Sequence, residues 1–590
     1  MSARRFGALL ALLLSAALGV RIAYVLAQPA SDPSFARPML DGAYHLASGR
    51  ALVDGEAGPD GAYYLAPGYA FFLAAIVAVA GESFTVLYVV QHGLVLAAAG
   101  LLAVVGRRRV GSGAGLTTAA LVLLYHPVLF FASRPLSEAL AIALLALALL
   151  LCSAEGTWAP GGAGIASGLA SIVRPNLLLV PLAWSGIDLK GRRVARAGAL
   201  LLGVALAVLP VTARNARVSG HAVPISSNAG ITLFHGNGPG AAGGYTRPPA
   251  FAGSLAAQRD EAIRIASSHA GRTLDAVEAD RFWGFAALET RVANPVDTLA
   301  LLFKKAILSL SSTELSLDYA PALDANPWRW IAPLPFGVLL GLAVAGVVLL
   351  GFKGSGGAVT WSAVLASAAS LGVFYVSSRY RLPAATLLCV PAGAGAAALL
   401  SRGARPRRLR AGAAAVAVAC GSLVLPTFGL ARETEAAALS NRAVARVAAG
   451  DLEGAERDLR EALQRDPASV PAWFNLGTVL EASGDAQAAE GAYREALRHD
   501  PSHAESAGNL AAVLLRSGRP AEALPVLERA LTQRPYDGTC WTNLVVARVT
   551  LGDLRGAREA AERAVRLQVV LDPGLLEAVG LEVEAPTAEP

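Results

Sequence analysis

A chain of 590 residues with 54% apolar and only 16% charged side chains, and a mean hydropathy of +0.49, falls well below the roughly 25% charge of soluble domains. Most of it is expected to live in lipid. The net charge is +6, but the basic residues sit in short clusters between apolar runs, a pattern that sets membrane topology and argues against a nucleic-acid partner. Cys152, Cys389, Cys420 and Cys540 form no CxxC pair, so neither a disulfide frame nor a zinc site is indicated.

In chain order, apolar runs fall at about 6–27, 84–105, 115–131, 136–152, 161–173, 175–187, 197–213, 331–352, 358–377, 383–401 and 411–430. They predict an all-α, polytopic helical bundle of about 11 spans over residues 1–431. The first run follows Arg4 and Arg5 like a signal peptide, but it is long enough to cross a bilayer and reads as an uncleaved first helix. With the N-terminus in the cytoplasm, Arg107 to Arg109, the Lys190 to Arg196 cluster, Lys353 and the Arg402 to Arg410 cluster all share its side, as the positive-inside rule requires. The stretch Ala66 to Ala80, broken by Pro67-Gly68, must then lie along the outer surface or re-enter. Two outer loops remain, 28–83 and 214–330, and an odd number of spans places everything after residue 431 outside.

From Arg432 the composition shifts to Ala, Glu, Arg and Leu, and a period of 34 residues sets in. Pro467, Pro501 and Pro535 keep it, as do Asn475, Asn509 and Asn543, and Gly450, Gly484, Gly518 and Gly552. Small residues recur at Ala455, Ala489, Ala523 and Ala557. The unit Trp473, Leu476, Gly477, Ala489, Tyr493, Ala496, Pro501 resembles the tetratricopeptide consensus, which implies an α-solenoid of helix pairs over 432–570, with a tail at 571–590. Its groove would suit a peptide or protein partner.

Polar residues that lipid burial does not explain mark the chemistry. Asp41-Gly42-Ala43-Tyr44-His45 follows the first span and precedes Tyr63-Tyr64-Leu65-Ala66-Pro67-Gly68. This order resembles the lipid-carrier-dependent glycosyltransferases of the GT-C superfamily, especially the protein mannosyltransferase and aminoarabinose transferase group, over roughly residues 6–400. The resemblance implies a bacterial inner-membrane enzyme with its repeats in the periplasm. Asp41 would be its catalytic carboxylate, and Glu138, which opens the fourth span, its second acid, orienting the acceptor or holding a divalent cation. The protein mannosyltransferases have Asp-Glu where this chain has Asp41-Gly42, so any role that group gives to the second acid does not carry over.

Arg134, Arg174 at the break before Pro175, and Arg379 and Arg381 in Ser378-Arg379-Tyr380-Arg381-Leu382-Pro383 lie on the face that the charge rule depletes of cations. Guanidinium forks suit phosphate, so these four are expected to bind the phosphate of a polyprenyl-phosphate sugar. Tyr44, Tyr64, Asn228 and Asn237, the last two in a Gly- and Asn-rich stretch, are expected in the substrate loops. His45 and His235 have no spaced partner that would make them metal ligands.

The expected reaction is a single inverting displacement. Asp41 takes the proton of an acceptor hydroxyl on a protein, lipid or glycan, and the arginines, whose charge should also keep Asp41 ionised, stabilise the departing lipid phosphate. The competing readings are a polytopic transporter, suggested by the broken helix at Arg174-Pro175, and a polysaccharide ligase or polymerase with outer repeats.

Overall fold

The computed structural model describes residues 1–581 except 57, 188–192, 247–254, 402–405, 423, 424, 426 and 568. Parts of the 190–196 and 402–410 basic clusters, and residues 582–590 of the predicted tail, lie outside the described residues. No extended strand occurs among the described residues, and the chain is all-α. It divides into two compact units between Ala431 and Arg432.

In the first unit α1 (Ala3–Ser31) starts at Ser2, whose hydroxyl accepts the Arg5 N–H, one of the donors a helix N-terminus leaves unsatisfied. Then come α2 (Leu40–Val53), α3 (Gly68–Ala80), α4 (Phe84–Arg109), α5 (Ser112–Leu124), α6 (His126–Phe131), α7 (Glu138–Cys152) and α8 (Ala159–Val173). After Arg174 a 3₁₀ turn at Pro175–Leu178 leads into α9 (Leu179–Ser185), α10 (Arg193–Ser219), α11 (Ala229–Asn237) and α12 (Leu255–Ala270). The unit continues through α13 (Ala276–Ala293), α14 (Pro295–Leu310), α15 (Phe336–Ser355), α16 (Gly357–Val373), α17 (Ser378–Leu400) and α18 (Arg407–Ser422).

Five of these, α1, α4, α10, α15 and α17, are long and apolar enough to cross a membrane by length and composition. The other expected spans are shorter or broken. The run 115–131 divides at Tyr125, which is extended (φ −77°, ψ 112°); Pro127, in the first turn of α6, has no N–H to give a continuous helix and its ring would clash with the carbonyl one turn back. Arg174 is likewise extended, at φ −143°, ψ 101°, and the run 175–187 supplies only the 3₁₀ turn and α9.

Small residues let these helices meet backbone to backbone. Gly164 and Gly168 of α8 face α10, and a Cβ on Gly168 would stand 2.8 Å from the Ala207 Cβ and 3.0 Å from the Val204 carbonyl. This is the close approach that small-xxx-small spacing permits where lipid gives no hydrophobic drive to pair helices.

The boundary falls in the first turn of α19 (Leu430–Ala448), and the second unit continues with α20 (Leu452–Arg465), α21 (Val470–Ala482), α22 (Ala486–His499), α23 (Ala504–Arg516), α24 (Pro520–Gln533), α25 (Gly538–Thr550), α26 (Leu554–Arg566) and α27 (Pro573–Ala578). The 34-residue period has a physical part at each position. Gly450, Gly484, Gly518 and Gly552 turn the chain with φ of 71–87°, the left-handed region open to glycine. Asp451, Asp485 and Asp553 cap the second helix of their units by accepting the Gly454, Ala488 and Gly556 N–H groups at 2.9 Å. Ala455, Ala489, Ala523 and Ala557 are fully buried where the helices cross. Trp473 donates its indole N–H to the Pro467 carbonyl at 2.9 Å, and Trp541 repeats the bond to Pro535 one pair of units later, at 2.7 Å.

Candidate active site

Four residues far apart in sequence meet at the ends of α2, α7, α8 and α17. Arg379, second residue of α17, is held by the N-cap that Ser377 provides through the Tyr380 N–H, 3.3 Å. Its Nε donates to Glu138 Oε1 at 2.8 Å and its Nη1 to Asp41 Oδ2 at 3.0 Å, while Nη1 is also ion-paired to Asp318. Arg174, at the end of α8, pairs with the same Glu138 oxygen, and its guanidinium lies 5.0 Å from the centre of the Tyr380 ring. Of the predicted residues, Asp41, Glu138, Arg174 and Arg379 therefore share one cluster.

Within it the acids are unequal. Glu138 keeps 1% of its side chain accessible and Asp318 8%, whereas Asp41 keeps 31%. Two guanidiniums serve three carboxylates, and each buried charge is costly unless paired. Asp318, in the loop before α15, takes the consequence: burial, together with the neighbouring Asp41 and Glu138 charges, outweighs Arg379 and pushes its carboxyl up to about 7. An acid whose pKa rises on folding stabilises the fold only while protonated. Stability from this group is full below its ordinary 3.8 and is lost as pH rises through about 7. The Asp318→Asn variant should therefore gain in melting temperature relative to wild type between pH 4 and pH 8, which parallel thermal unfolding in detergent will read.

His45, one turn after Asp41 on α2, is buried edge-on to Tyr69 with ring centroids 5.3 Å apart, and burial lowers its pKa to about 4. It serves as a neutral wall of the cluster. Among the described residues no group of three His, Cys, Asp or Glu side chains is arranged to hold a metal ion.

Gly42 is packed too closely to carry a side chain without displacement. A Cβ there would lie 3.0 Å from Pro135 Cγ and 3.2 Å from the Pro135 carbonyl, so the start of α2 rests directly on the segment that leads to Glu138. Gly42→Ala should cost about 1–3 kcal/mol by overpacking, and Gly42→Glu more, measured as denaturation midpoints of the purified protein.

Arg134 and Arg381 lie apart from these four. Arg134 is ion-paired to Asp32, donates to the Ser133 carbonyl at 2.7 Å and sits over the Phe130 ring at 4.3 Å. Arg381 pairs with Glu314 at 2.7 Å, donates to the Thr313 carbonyl at 3.2 Å and covers the Phe336 ring at 4.2 Å. Both are committed to fixing loops. Glu314 stands in the loop after α14 and also accepts the Tyr125 hydroxyl at 3.0 Å.

Tyr44 is half-buried on α2 and Tyr64 is buried in the loop before α3. Asn228 precedes α11, its side-chain oxygen accepting the Ser226 hydroxyl at 3.0 Å. Asn237 is enclosed: it donates to the Leu233 and Val373 carbonyls at 2.9 and 2.8 Å and accepts Lys305 at 2.9 Å. Asn237 thus joins α11 to α16.

Asp318, Asp32 and Glu314 are the partners that sequence reasoning missed. A signal was present, because buried arginines require acids beside them, and the stretch 311–328 holds Glu314, Asp318 and Asp324 in otherwise neutral surroundings.

Comparison with known proteins bears on the second unit alone. Tetratricopeptide repeat family models match residues 440–498, 477–538 and 514–569, and the C-terminal unit is an array of tetratricopeptide repeats. MamA from Desulfovibrio magneticus RS-1 is a similar solved structure, 27% identical over 24% of this chain and 79% of its own, with a TM-score of 0.22. YrrB, described as a TPR protein with an unusual peptide-binding site, is 24% identical over 24% of this chain and 72% of its own, TM-score 0.22. Pseudomonas aeruginosa pilF is 17% identical over 29% and 72%, TM-score 0.23. No curated protein matches the chain.

Proposed function

We propose that the first unit is a membrane glycosyltransferase of the GT-C type, and that it moves a sugar from a polyprenyl-phosphate carrier to an acceptor hydroxyl on the periplasmic side. About 11 passes with a cytoplasmic N-terminus accommodate the five long helices, the shorter apolar ones and the basic clusters on one side. The observation that carries the reading is the asymmetry of the acid cluster. Asp41 is the accessible carboxylate, held from one side by Arg379, while Glu138 and Asp318 are enclosed and orient that arginine.

In the reaction the acceptor oxygen forms a bond to the anomeric carbon as the bond from that carbon to the carrier phosphate oxygen breaks. Asp41 takes the hydroxyl proton, and the electron pair leaves on the polyprenyl phosphate. Arg174, paired with Glu138, would set its charge beside the departing phosphate. Arg134 and Arg381, tied to Asp32 and Glu314, act by holding the loops. The tetratricopeptide array would bind a protein partner or the acceptor peptide.

The test is lipid mass spectrometry of membranes from cells with and without this chain. Consumption of one glycosylated polyprenyl phosphate, with matching release of polyprenyl phosphate, is expected. Identical lipid profiles at equal protein levels would overturn the proposal and favour a transporter.

A further inference from the structure

Two consecutive helices of the second outer loop carry an apolar stripe that nothing among the described residues of the unit covers. On α13 it comprises Phe285, Leu288 and Val292, exposed by 70%, 55% and 71%, and on α14 Val296, Leu299 and Phe303, exposed by 77%, 69% and 70%. Within each helix the spacing is three and four residues, so each presents one apolar face; the two helices meet at Asn294, which is not helical (φ −128°, ψ 71°). The opposite face of α14 is buried through Leu301, Lys305 and Leu308. Of its charged residues Lys305 is buried and Lys304 half-buried, while Asp297, exposed in the first turn, stands off the stripe by helical phase. A patch of this extent is not left in water without a partner.

The depth of the stripe is fixed by what the other face of α14 holds. A helix leaves its last carbonyls unsatisfied, and those of α16 are taken up here. Lys305 donates to the Gly372 carbonyl at 3.1 Å and to the Phe374 carbonyl at 2.5 Å, and Asn237 to that of Val373 at 2.8 Å. Just beyond α14, the Ser311 hydroxyl reaches the Leu425 carbonyl, past the end of α18, at 3.5 Å. Trp328 and Trp330, exposed by 45% and 69%, precede α15, and indoles at the end of an apolar helix suit a membrane–water interface. Helix α14 therefore packs its buried face on the ends of apolar helices, with its stripe turned away from them.

We propose that α13 and α14 form a membrane-surface helix pair whose stripe is covered by acyl chains of the outer leaflet, anchoring the second outer loop at headgroup depth. This rests on the membrane reading of the first unit. It places the loop where the phosphate of a lipid-linked substrate would stand.

The experiment attaches an environment-sensitive nitrobenzoxadiazole probe to single introduced cysteines in the full chain, reconstituted into nanodiscs, with the signal of the labelled native protein subtracted. Phe303→Cys and Phe285→Cys report the stripe, and Leu202→Cys, on the outward face of α10 at 62% exposure, reports the membrane reading itself. Glu559→Cys on α26, its side chain 61% exposed, is the water reference.

Phosphatidylcholine with a doxyl quencher near the headgroup should produce a several-fold loss of emission at residues 285 and 303 relative to 559. A deep acyl-chain doxyl should quench 202 most. Quenching at 202 without quenching at 285 and 303 would overturn the surface-helix proposal and leave the membrane reading standing, whether the stripe emission is unshifted (water) or blue-shifted (a protein partner or second copy). No quenching at any position would overturn both.

Discussion

Replacing Asp41 by Asn is expected to lower sugar transfer by about 10²- to 10⁴-fold, the range that general-base assistance supplies, with the carrier's affinity little changed. The amide keeps the shape of the carboxylate and can still accept from Arg379, so α2 should remain seated against Pro135 and Tyr69. What it loses is the ability to take a proton. Single-turnover transfer and carrier binding, measured on the same preparation, separate the two effects. A variant that binds carrier normally and transfers at the wild-type rate would remove Asp41 from the mechanism. Asp318→Asn makes the contrast: it alters an enclosed carboxylate, so its effect should appear in the pH dependence of stability and of the rate, not as loss of the chemical step.

The repeats were legible because each tetratricopeptide unit is built from local contacts whose positions recur at a fixed offset, even where the residue changes, as at Arg519 in place of the capping Asp. Gly477 opposite Tyr493 shows how local they are: a Cβ at residue 477 would lie 2.5 Å from the Tyr493 ring, and both positions belong to one unit. Apolar runs likewise announced the helices of the first unit, though not where they break, as Tyr125 and Arg174 illustrate.

The acid–arginine cluster was legible one residue at a time. Asp41, Glu138, Arg174 and Arg379 each stood out as a charge beside apolar sequence, but their pairing spans up to 338 residues, and no local pattern encodes which acid meets which arginine. For the same reason Arg134 and Arg381 looked like Arg174 in the sequence. Only the long-range approach of Asp32 and Glu314 distinguishes them. The fit of Gly42 against Pro135 is a further non-local fact, and it changes the meaning of a difference that the sequence could only note.

Arg379→Ala is expected to produce the largest loss of stability in the first unit, about 3–5 kcal/mol, because it strips one partner from a buried ionic network. Glu138 would keep Arg174, but Asp318 would be left enclosed against two other carboxylates. The loss should be greater at pH 8 than at pH 5, since a carboxyl pushed up to about 7 is largely protonated at the lower value and asks less of Arg379. Arg379→Lys should recover only part of it: one ammonium cannot reproduce the fork that serves Glu138 through Nε and Asp41 with Asp318 through Nη1. Combining Arg379→Ala with Asp318→Asn should be less destabilising than the sum of the two single changes, because the second removes the charge that the first leaves unpaired. Denaturant midpoints for the four proteins in detergent at both pH values decide it. An additive, pH-independent result would mean that Asp318 is not ionised against Arg379 in the folded protein, and that the cluster is held together by Glu138 alone.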